Sequence, residues 1–580
     1  MSKLNIDQQT IKELFSNKKS DFLIPDYQRP YAWGELECQT LWDDIFSFAF
    51  PDNDYTKFNS DEDEYFLGPI VTFKNEDAKL EIIDGQQRLT TLMLLLRAFY
   101  SKFGKMKDEN SISTSEIISK CIWKTDEFGK PDMNRLKIDS EVSTDDDKEE
   151  FLAILRTGIC DKTNKSRYAK TYQFFVEKID EFLSEYPAYF AYLPARILNN
   201  CILLPIEAES QDTALRIFST LNDRGKPLSD TDIFKAQMYK YYLNKGEKDL
   251  FVKRWQQLEL MCEELFASQT GSPMDELFSR YMYYERAKMG IKNTTTEALR
   301  KFYEKNKYEI LKKEETLTNL EKLASFWEKV EKQDDSIFSE RVLKKLSTLR
   351  FAPNSMWTYM VSVYFIQNKN DEDKLSDEPF YNFLDRLIAF IWVYAIMRPG
   401  VNALRTPLYP AMIEIVNNIE STYSDYKFDK TVVKTTFDNY YFSNGRPITK
   451  SMLAWWAYVQ PGQELLSNNM VFDIEHIYPK KRQENEKGFS ESINLESLGN
   501  KSMLEKGVNI RAADYRFIDK KKYYTGYTTD KGVKKEGSKI SELVSLASDK
   551  QDYLEADVLN RKAQIIDGFI NFAEEKGLLI

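Results

Sequence analysis

Histidine is almost missing from this chain: His476 is the only one in 580 residues. Any imidazole chemistry must pass through that side chain. The five cysteines, Cys38, Cys121, Cys160, Cys201 and Cys262, form no CxxC pair. That excludes a cysteine-based zinc site and suits a reducing compartment. No GxxxxGK[ST] loop occurs, so a nucleoside triphosphate would have to be held without a P-loop. The opening MSKLNIDQQTIKELF has no basic segment followed by an apolar run, which argues against a signal peptide. The longest apolar stretch, Leu387 to Met397, is bracketed by Arg386 and Arg398 and is short for a membrane span. It reads as a buried helix. The expectation is a soluble, cytoplasmic protein with no membrane partner.

A hydrophobic content of 42% with 14% aromatics is enough for packed cores and excludes wholesale disorder. The length is too great for one core. The net charge of −11 means that a DNA-binding role requires Lys and Arg to be concentrated locally.

The first hundred residues mix short strand-like runs (FLIP, YFLGPIVTF, KLEIID) with helices. KLEIID leads into DGQQRLTTLMLLLRAFYSKF, where Leu89, Leu92, Met93, Leu96, Tyr100 and Phe103 recur at helical spacing. From about 145 to 460 the pattern is mostly helical, and near 470 the texture changes to a strand-like MVFDIEHIYP. A second strand candidate, LESLGNKSML, follows, and then a Lys/Arg-rich stretch. The fold class is α+β, predominantly helical. Three domains are expected: 1–240, a helical connector over 241–440, and 441–580.

Phosphodiester hydrolysis needs a base to activate water and positive charge on the phosphorus oxygens. His476 can be that base. A carboxylate and a carboxamide are hard ligands for Mg²⁺ or Mn²⁺. Glu475 and His476 are adjacent, so on a strand they point to opposite faces. Residues 501–540 hold eleven Lys/Arg against five Asp/Glu, interleaved with Tyr515, Phe517, Tyr523, Tyr524 and Tyr527. Such a mixture suits a phosphate backbone.

At the other end, DGQQR (Asp84, Gly85, Gln86, Gln87, Arg88) lies between strand and helix, where a turn and free N–H groups make an anion site. Arg88 in the first helical turn is disfavoured by the helix dipole unless an anion is near. Pairing of Arg88 with Asp84 is the alternative. Tyr27, Gln28, Arg29, Tyr31 and Trp33 offer stacking faces and a guanidinium fork for a nucleobase or a modified DNA group. Core packing of these aromatics is the competing reading.

Glu475-His476-Ile477-x-Pro479, Gly499-Asn500 and Asn509 resemble the HNH fingers of restriction and RNA-guided nucleases, most of all those of GmrSD-type modification-dependent (type IV) restriction enzymes. DGQQRLTTL, Ile24-Pro25-x-Tyr27-Gln28-Arg29-x-Tyr31-x-Trp33 and Asn222-x-Arg224-Gly225 resemble the other half of those enzymes, which has a ParB/sulfiredoxin-like fold. The resemblance implies an N-terminal ParB/sulfiredoxin-like α/β domain, a helical middle and a C-terminal ββα-metal (HNH) domain. It implies His476 as general base oriented by Asn500, with Glu475 and Asn509 as ligands of a divalent metal. Asn509 stands where other members carry His. Phe517, Lys520 and Tyr524 match a downstream aromatic-Lys-Tyr element. Nucleoside triphosphate is expected at Asp84–Arg88, and a modified-DNA or nucleotide pocket at Tyr27, Gln28, Arg29, Tyr31, Trp33, Asn222 and Arg224. Lys501, Lys520 and Lys521 are expected on the DNA backbone.

The function implied is an NTP-regulated endonuclease cutting modified double-stranded phage DNA, with homo-oligomerisation left open. Two alternatives stand beside it: an NTP-hydrolysing sensor whose finger only binds DNA, and a non-enzymatic scaffold built on the helical middle.

Overall fold

The computed structural model describes residues 5–6, 8–142, 147–161, 165–211, 213–215, 217, 230–266, 272–398, 400 and 403–580. Asn222 and Arg224 lie outside the described residues. The chain divides into two compact units, Met1–Gln256 and Gln257–Ile580. The content is α+β and predominantly helical, as the periodicities indicate.

In the first unit, β1 (Asn5–Ile6), β2 (Gln9–Thr10), β3 (Phe22–Ile24), β4 (Tyr65–Lys74), β5 (Leu80–Asp84), β6 (Ile138–Ser140) and β7 (Cys201–Ala208) form one mixed sheet. The order is β1-β7-β4-β5-β3-β6, with β2 also on β7. β4 and β7 run parallel from Tyr65↔Cys201 to Phe73↔Ala208, whereas β4 and β5 are antiparallel. From β5 the chain turns at Gly85, whose φ of 93° is left-handed, into α1 (Gln86–Phe103). α1 is the core helix of this unit: Leu89, Leu92, Met93, Leu94, Leu95, Leu96, Phe99 and Phe103 are all fully or nearly fully buried. α2 (Arg167–Glu185) packs beside it, with Tyr168 stacked on Tyr31 at 5.0 Å.

The second unit is built around α3 (Asp377–Met397). This helix has 21 residues, longer than the apolar run Leu387–Met397, and it is long and apolar enough to cross a membrane by length and composition. Within the unit, 67% of its most apolar window is buried. Its buried Asp385 lies 2.6 Å from Lys345 Nζ and 2.5 Å from Lys576 Nζ, which offsets part of the cost of an interior carboxylate.

Near the end of the unit, β8 (Phe472–His476) pairs antiparallel with β9 (Lys501–Glu505), from Phe472↔Glu505 to His476↔Lys501. β9 passes directly into α4 (Lys506–Ala512), and α5 (Phe517–Thr525) follows. The LESLGN part of the second strand candidate is not strand. It forms 3₁₀ turns over Ser492–Glu496 and Leu498–Asn500, because those residues wrap against α6 (Glu555–Glu575) instead of pairing with β8.

Gly499 is what permits that approach. A Cβ there would sit 1.9 Å from Val558 O and 2.8 Å from Lys562 N, both backbone atoms of α6. Gly499→Ala must push the helix away and should destabilise the second unit by about 3 kcal/mol, the upper end for overpacking. Chemical denaturation will measure it, with Gly445→Ala, where a Cβ meets nothing within 4 Å, as the neutral control.

Candidate functional site

Strand geometry decides the C-terminal site first. Consecutive residues of β8 face opposite ways, so Glu475 and His476 enter different surroundings. Glu475 is 4% exposed and lies against α5. Its Oε1 accepts from Lys520 Nζ at 2.6 Å and from the Tyr524 hydroxyl. Lys520 Nζ also donates to His476 O at 2.8 Å, so one buried ammonium ties both residues to α5. Burial pushes the Glu475 carboxyl up, against the pull of Lys520.

His476 faces Glu496. Its Nε2 is buried and lies 3.5 Å from Glu496 Oε1, outside hydrogen-bond alignment. The same carboxylate holds Lys480 Nζ at 2.5 Å and Lys501 Nζ at 2.5 Å. Burial, reinforced by Lys501 and Lys480, pulls the imidazole down to about 4, so it is unprotonated at neutral pH. Burial works against ionisation of Glu496 as well, yet Lys480 and Lys501 overcome it and hold that carboxyl at about 2. Lys480 is half-exposed, with 51% of its side chain open, whereas Lys501 is fully buried and also donates to Phe442 O at 2.5 Å.

Asn500 is fully buried and its side chain grips backbone rather than the ring. Oδ1 accepts from Tyr478 N at 2.7 Å, and Nδ2 donates to Tyr478 O and Leu495 O, each at 3.0 Å. Asn500 thus fixes the turn that follows His476. Arg561 fixes Asn500's own segment: its NH1 donates to the carbonyls of Leu498, Gly499 and Lys501, while Glu542 takes its other nitrogens. The Tyr553 hydroxyl adds a bond to Gly499 O at 2.8 Å.

The expected metal pair is not assembled. Asn509 sits on α4, where its Nδ2 reaches Asp473 Oδ2 at 3.5 Å, while Glu475 is clasped by Lys520. Among the described residues no group of three His, Cys, Asp or Glu is disposed to hold a metal ion. As arranged, these side chains do not make up a divalent-ion site. The lysines expected on DNA are also placed differently. Lys501 and Lys520 are interior, and Lys521 donates to Lys550 O at 2.7 Å.

In the first unit the DGQQR residues join two segments. Gln86 Nε2 donates to Arg29 O at 2.7 Å. Gln87 accepts from Ala32 N at 2.6 Å and donates to Pro30 O at 3.2 Å. The glutamines therefore lace the 25–33 loop to the start of α1. Arg88 NH1 donates to Pro69 O at 2.8 Å, and burial lowers its pKa against the pull of nearby Asp84. Burial raises Asp84, while the Gly85 N–H and the charges of Arg88 and Arg29 oppose that rise.

Of the loop itself, Tyr27, Gln28 and Tyr31 are buried. The Tyr27 hydroxyl donates to Glu81 at 2.6 Å, Gln28 bonds Ile82 O and Ile83 O, and the Tyr31 hydroxyl meets Thr91 at 2.7 Å. Arg29 and Trp33 keep accessible surface. Trp33 borders a cavity of about 270 Å³ with Arg167, Lys170 and Phe174.

Glu496, Lys480 and Arg561 were not singled out by sequence. Lys480 directly follows Pro479 of the EHIYP motif and was within reach of that reading. Glu496 and Arg561 come from segments with no spacing relation to His476.

Both regions fall within known family models. Residues 11–239 match the GmrSD restriction endonuclease, N-terminal domain, and residues 416–567 match the GmrSD restriction endonucleases, C-terminal domain. No curated protein matches the chain. The two matches stand in order along one polypeptide and take in Asp84–Arg88 at one end and Glu475–Asn509 at the other: the chain belongs to the GmrSD restriction endonuclease family.

Proposed function

We propose that this restriction endonuclease is a modification-dependent DNA nuclease of anti-phage defence, acting in the cytoplasm, whose second unit cuts through an HNH-type ββα finger. The observation that carries the reading is His476. The chain's sole imidazole stands at the end of β8, neutral at pH 7, in a hairpin that runs into a helix. A neutral imidazole can take the proton of a water attacking phosphorus. Nε2 is turned toward Glu496, which leaves Nδ1 as the nitrogen for that water. Lys480, held beside the ring by Glu496 and half-exposed, is the cation a phosphate would meet. Asn500 is a positioning residue that acts through the Tyr478 backbone. The requirement for Mg²⁺ or Mn²⁺ rests on the family alone, and no step is derived through the ion.

The first unit is proposed to bind and hydrolyse nucleoside triphosphate at Asp84–Arg88 and to govern cutting. Supporting this are the start of α1, the Arg88 and Arg29 charges beside it, and the family resemblance of the motif. Arg29 and Trp33 are the loop residues open to a nucleotide or a modified DNA group. The clasp of Lys520 on Glu475 favours a second reading, in which the finger only binds DNA and the first unit turns over nucleotide. Nucleotide turnover without nicking of any DNA would decide for it.

Incubation of the purified chain with Mg²⁺ and modified phage DNA should give cleavage that His476→Ala lowers roughly 10²–10⁴-fold. Undiminished cutting by the variant refutes the assignment. Because the imidazole titrates at about 4, the cleavage rate should hold from pH 8 down to about 5 and decline only below that. An acid limb centred near the ordinary histidine value of about 6.5 would contradict the buried setting.

Lys520→Met leaves the Glu475 carboxyl buried without its cation, at a cost of about 3–5 kcal/mol at pH 8. The carboxyl's folded pKa, already raised by burial, then rises further above its unfolded value. The folded state consequently holds the proton more tightly, so the deficit shrinks as pH falls and is full above the folded pKa. Denaturation at pH 5 and pH 8 checks the sign; an equal deficit at both removes the ion-pair explanation.

A further inference from the structure

With Lys501 and Lys520 inside the unit, the positive surface for a DNA backbone must come from elsewhere. Past α5 the chain forms a two-stranded ribbon, β10 (Tyr527–Thr528) and β11 (Lys534–Lys535), in the register Tyr527↔Lys535 and Thr528↔Lys534. Its turn is closed by Thr529 N to Val533 O at 2.9 Å and Gly532 N to Thr529 O at 2.8 Å. Residues 530–536 are all exposed, Val533 included, at 51%. An isolated two-stranded hairpin is marginal by itself and buries no core here, so packing gives no reason for it.

Two features suggest what the ribbon meets. Lys531, Lys534 and Lys535 hold their ammonium groups in solvent with no hydrogen bond or ion pair among the described residues. The acids of the segment are Asp530 in the turn and Glu536 at the base, and Glu536 is answered by Lys539 at 3.6 Å. The ribbon's base is also stapled to the proposed catalytic finger. Ser538 N donates to Tyr524 O at 2.8 Å, and Glu505, the last residue of β9, accepts from Ser538 Oγ at 2.9 Å and Lys539 N at 2.5 Å. Tyr524 is the residue whose hydroxyl clasps Glu475, next to His476.

We propose that this ribbon is a DNA-binding arm. It lies along a groove of the duplex that His476 cuts, with Lys531, Lys534 and Lys535 on backbone phosphates. At about 3.3 Å per residue the arm reaches roughly 10–15 Å from its base. A major groove is about 12 Å wide and admits a two-stranded ribbon. Lysine contacts to phosphate supply salt-dependent affinity without reading sequence. The proposal rests on the nuclease reading.

The test is duplex binding by fluorescence anisotropy across a salt series. It uses the full chain carrying His476→Ala to keep the DNA intact, with and without Lys531→Ala, Lys534→Ala and Lys535→Ala together. All three positions are exposed, so thermal unfolding should be unchanged. Each lost phosphate contact lowers the slope of log K against log salt by about 0.9, so the triple variant should lose about 2.7. Arginine in place of lysine at the three positions should preserve the slope. A slope unchanged by the triple variant, or a loss confined to single-stranded DNA of the same length, overturns the arm while leaving the nuclease reading intact. A parent chain that binds no duplex at any salt overturns both.

Discussion

Two side chains next to each other on a strand cannot share a face, and the C-terminal site depends on that constraint. Glu475 is sent inward, where a bare carboxylate would be costly, and Lys520 and Tyr524 of α5 meet it there. The same ammonium donates to the His476 carbonyl oxygen as its second partner, so the backbone carrying the imidazole is held from beneath. His476 is sent the other way, into a pocket with two lysines and one carboxylate. There the cations outnumber the anion, and the ring stays neutral for electrostatic as well as desolvation reasons. One strand residue thus supplies anchorage, and its neighbour carries the proposed chemistry.

Around that strand the supports are nested. Asn500 holds the turn after His476 through the Tyr478 backbone, Arg561 holds the carbonyls on either side of Asn500, and Glu542 neutralises Arg561. Gly499 lets α6 come close enough for Arg561 to reach. Each layer satisfies polar groups that the next layer inward leaves buried, which is the condition for keeping charge in an interior. The Gly-Asn pair therefore has a mechanical explanation: the glycine admits the helix and the asparagine grips the turn.

Local pattern in the sequence was enough to find β5, α1 and β8, because spacing and periodicity are written in consecutive residues. The side chains' partners were not legible in the same way. Glu496 reaches His476 from a 3₁₀ turn twenty positions on, and Arg561 reaches the carbonyls flanking Asn500 from a helix still further along; no spacing rule links either to the ring. Lysine was the hardest residue to place. Lys501, Lys520 and Lys521 sit in a basic, aromatic-rich stretch that suggests solvent and phosphate, yet Lys501 and Lys520 face carboxylates that lie elsewhere in the chain. Gln86, Gln87, Tyr27 and Tyr31 show the same effect at the other end, where motif residues that could contact ligand hold a loop to a helix instead.

This division among the lysines bears on how an acidic protein approaches a polyanion. With a net charge of −11, long-range attraction to DNA is weak, and binding must rely on short-range contacts from a few exposed cations. A buried lysine adds little to such contacts, since its charge is matched within a few ångströms by a carboxylate. Among the exposed lysines with no carboxylate partner are Lys531, Lys534 and Lys535, on a ribbon whose turn buries no core. Lys480 is intermediate: exposed enough to meet a phosphate, yet held by Glu496 at the ring's edge. A phosphate arriving there would compete with Glu496 for the ammonium but would bring a negative charge of its own, so the neutral state of His476 rests on burial, the largest cause of its lowered pKa, and on the buried Lys501 beside it.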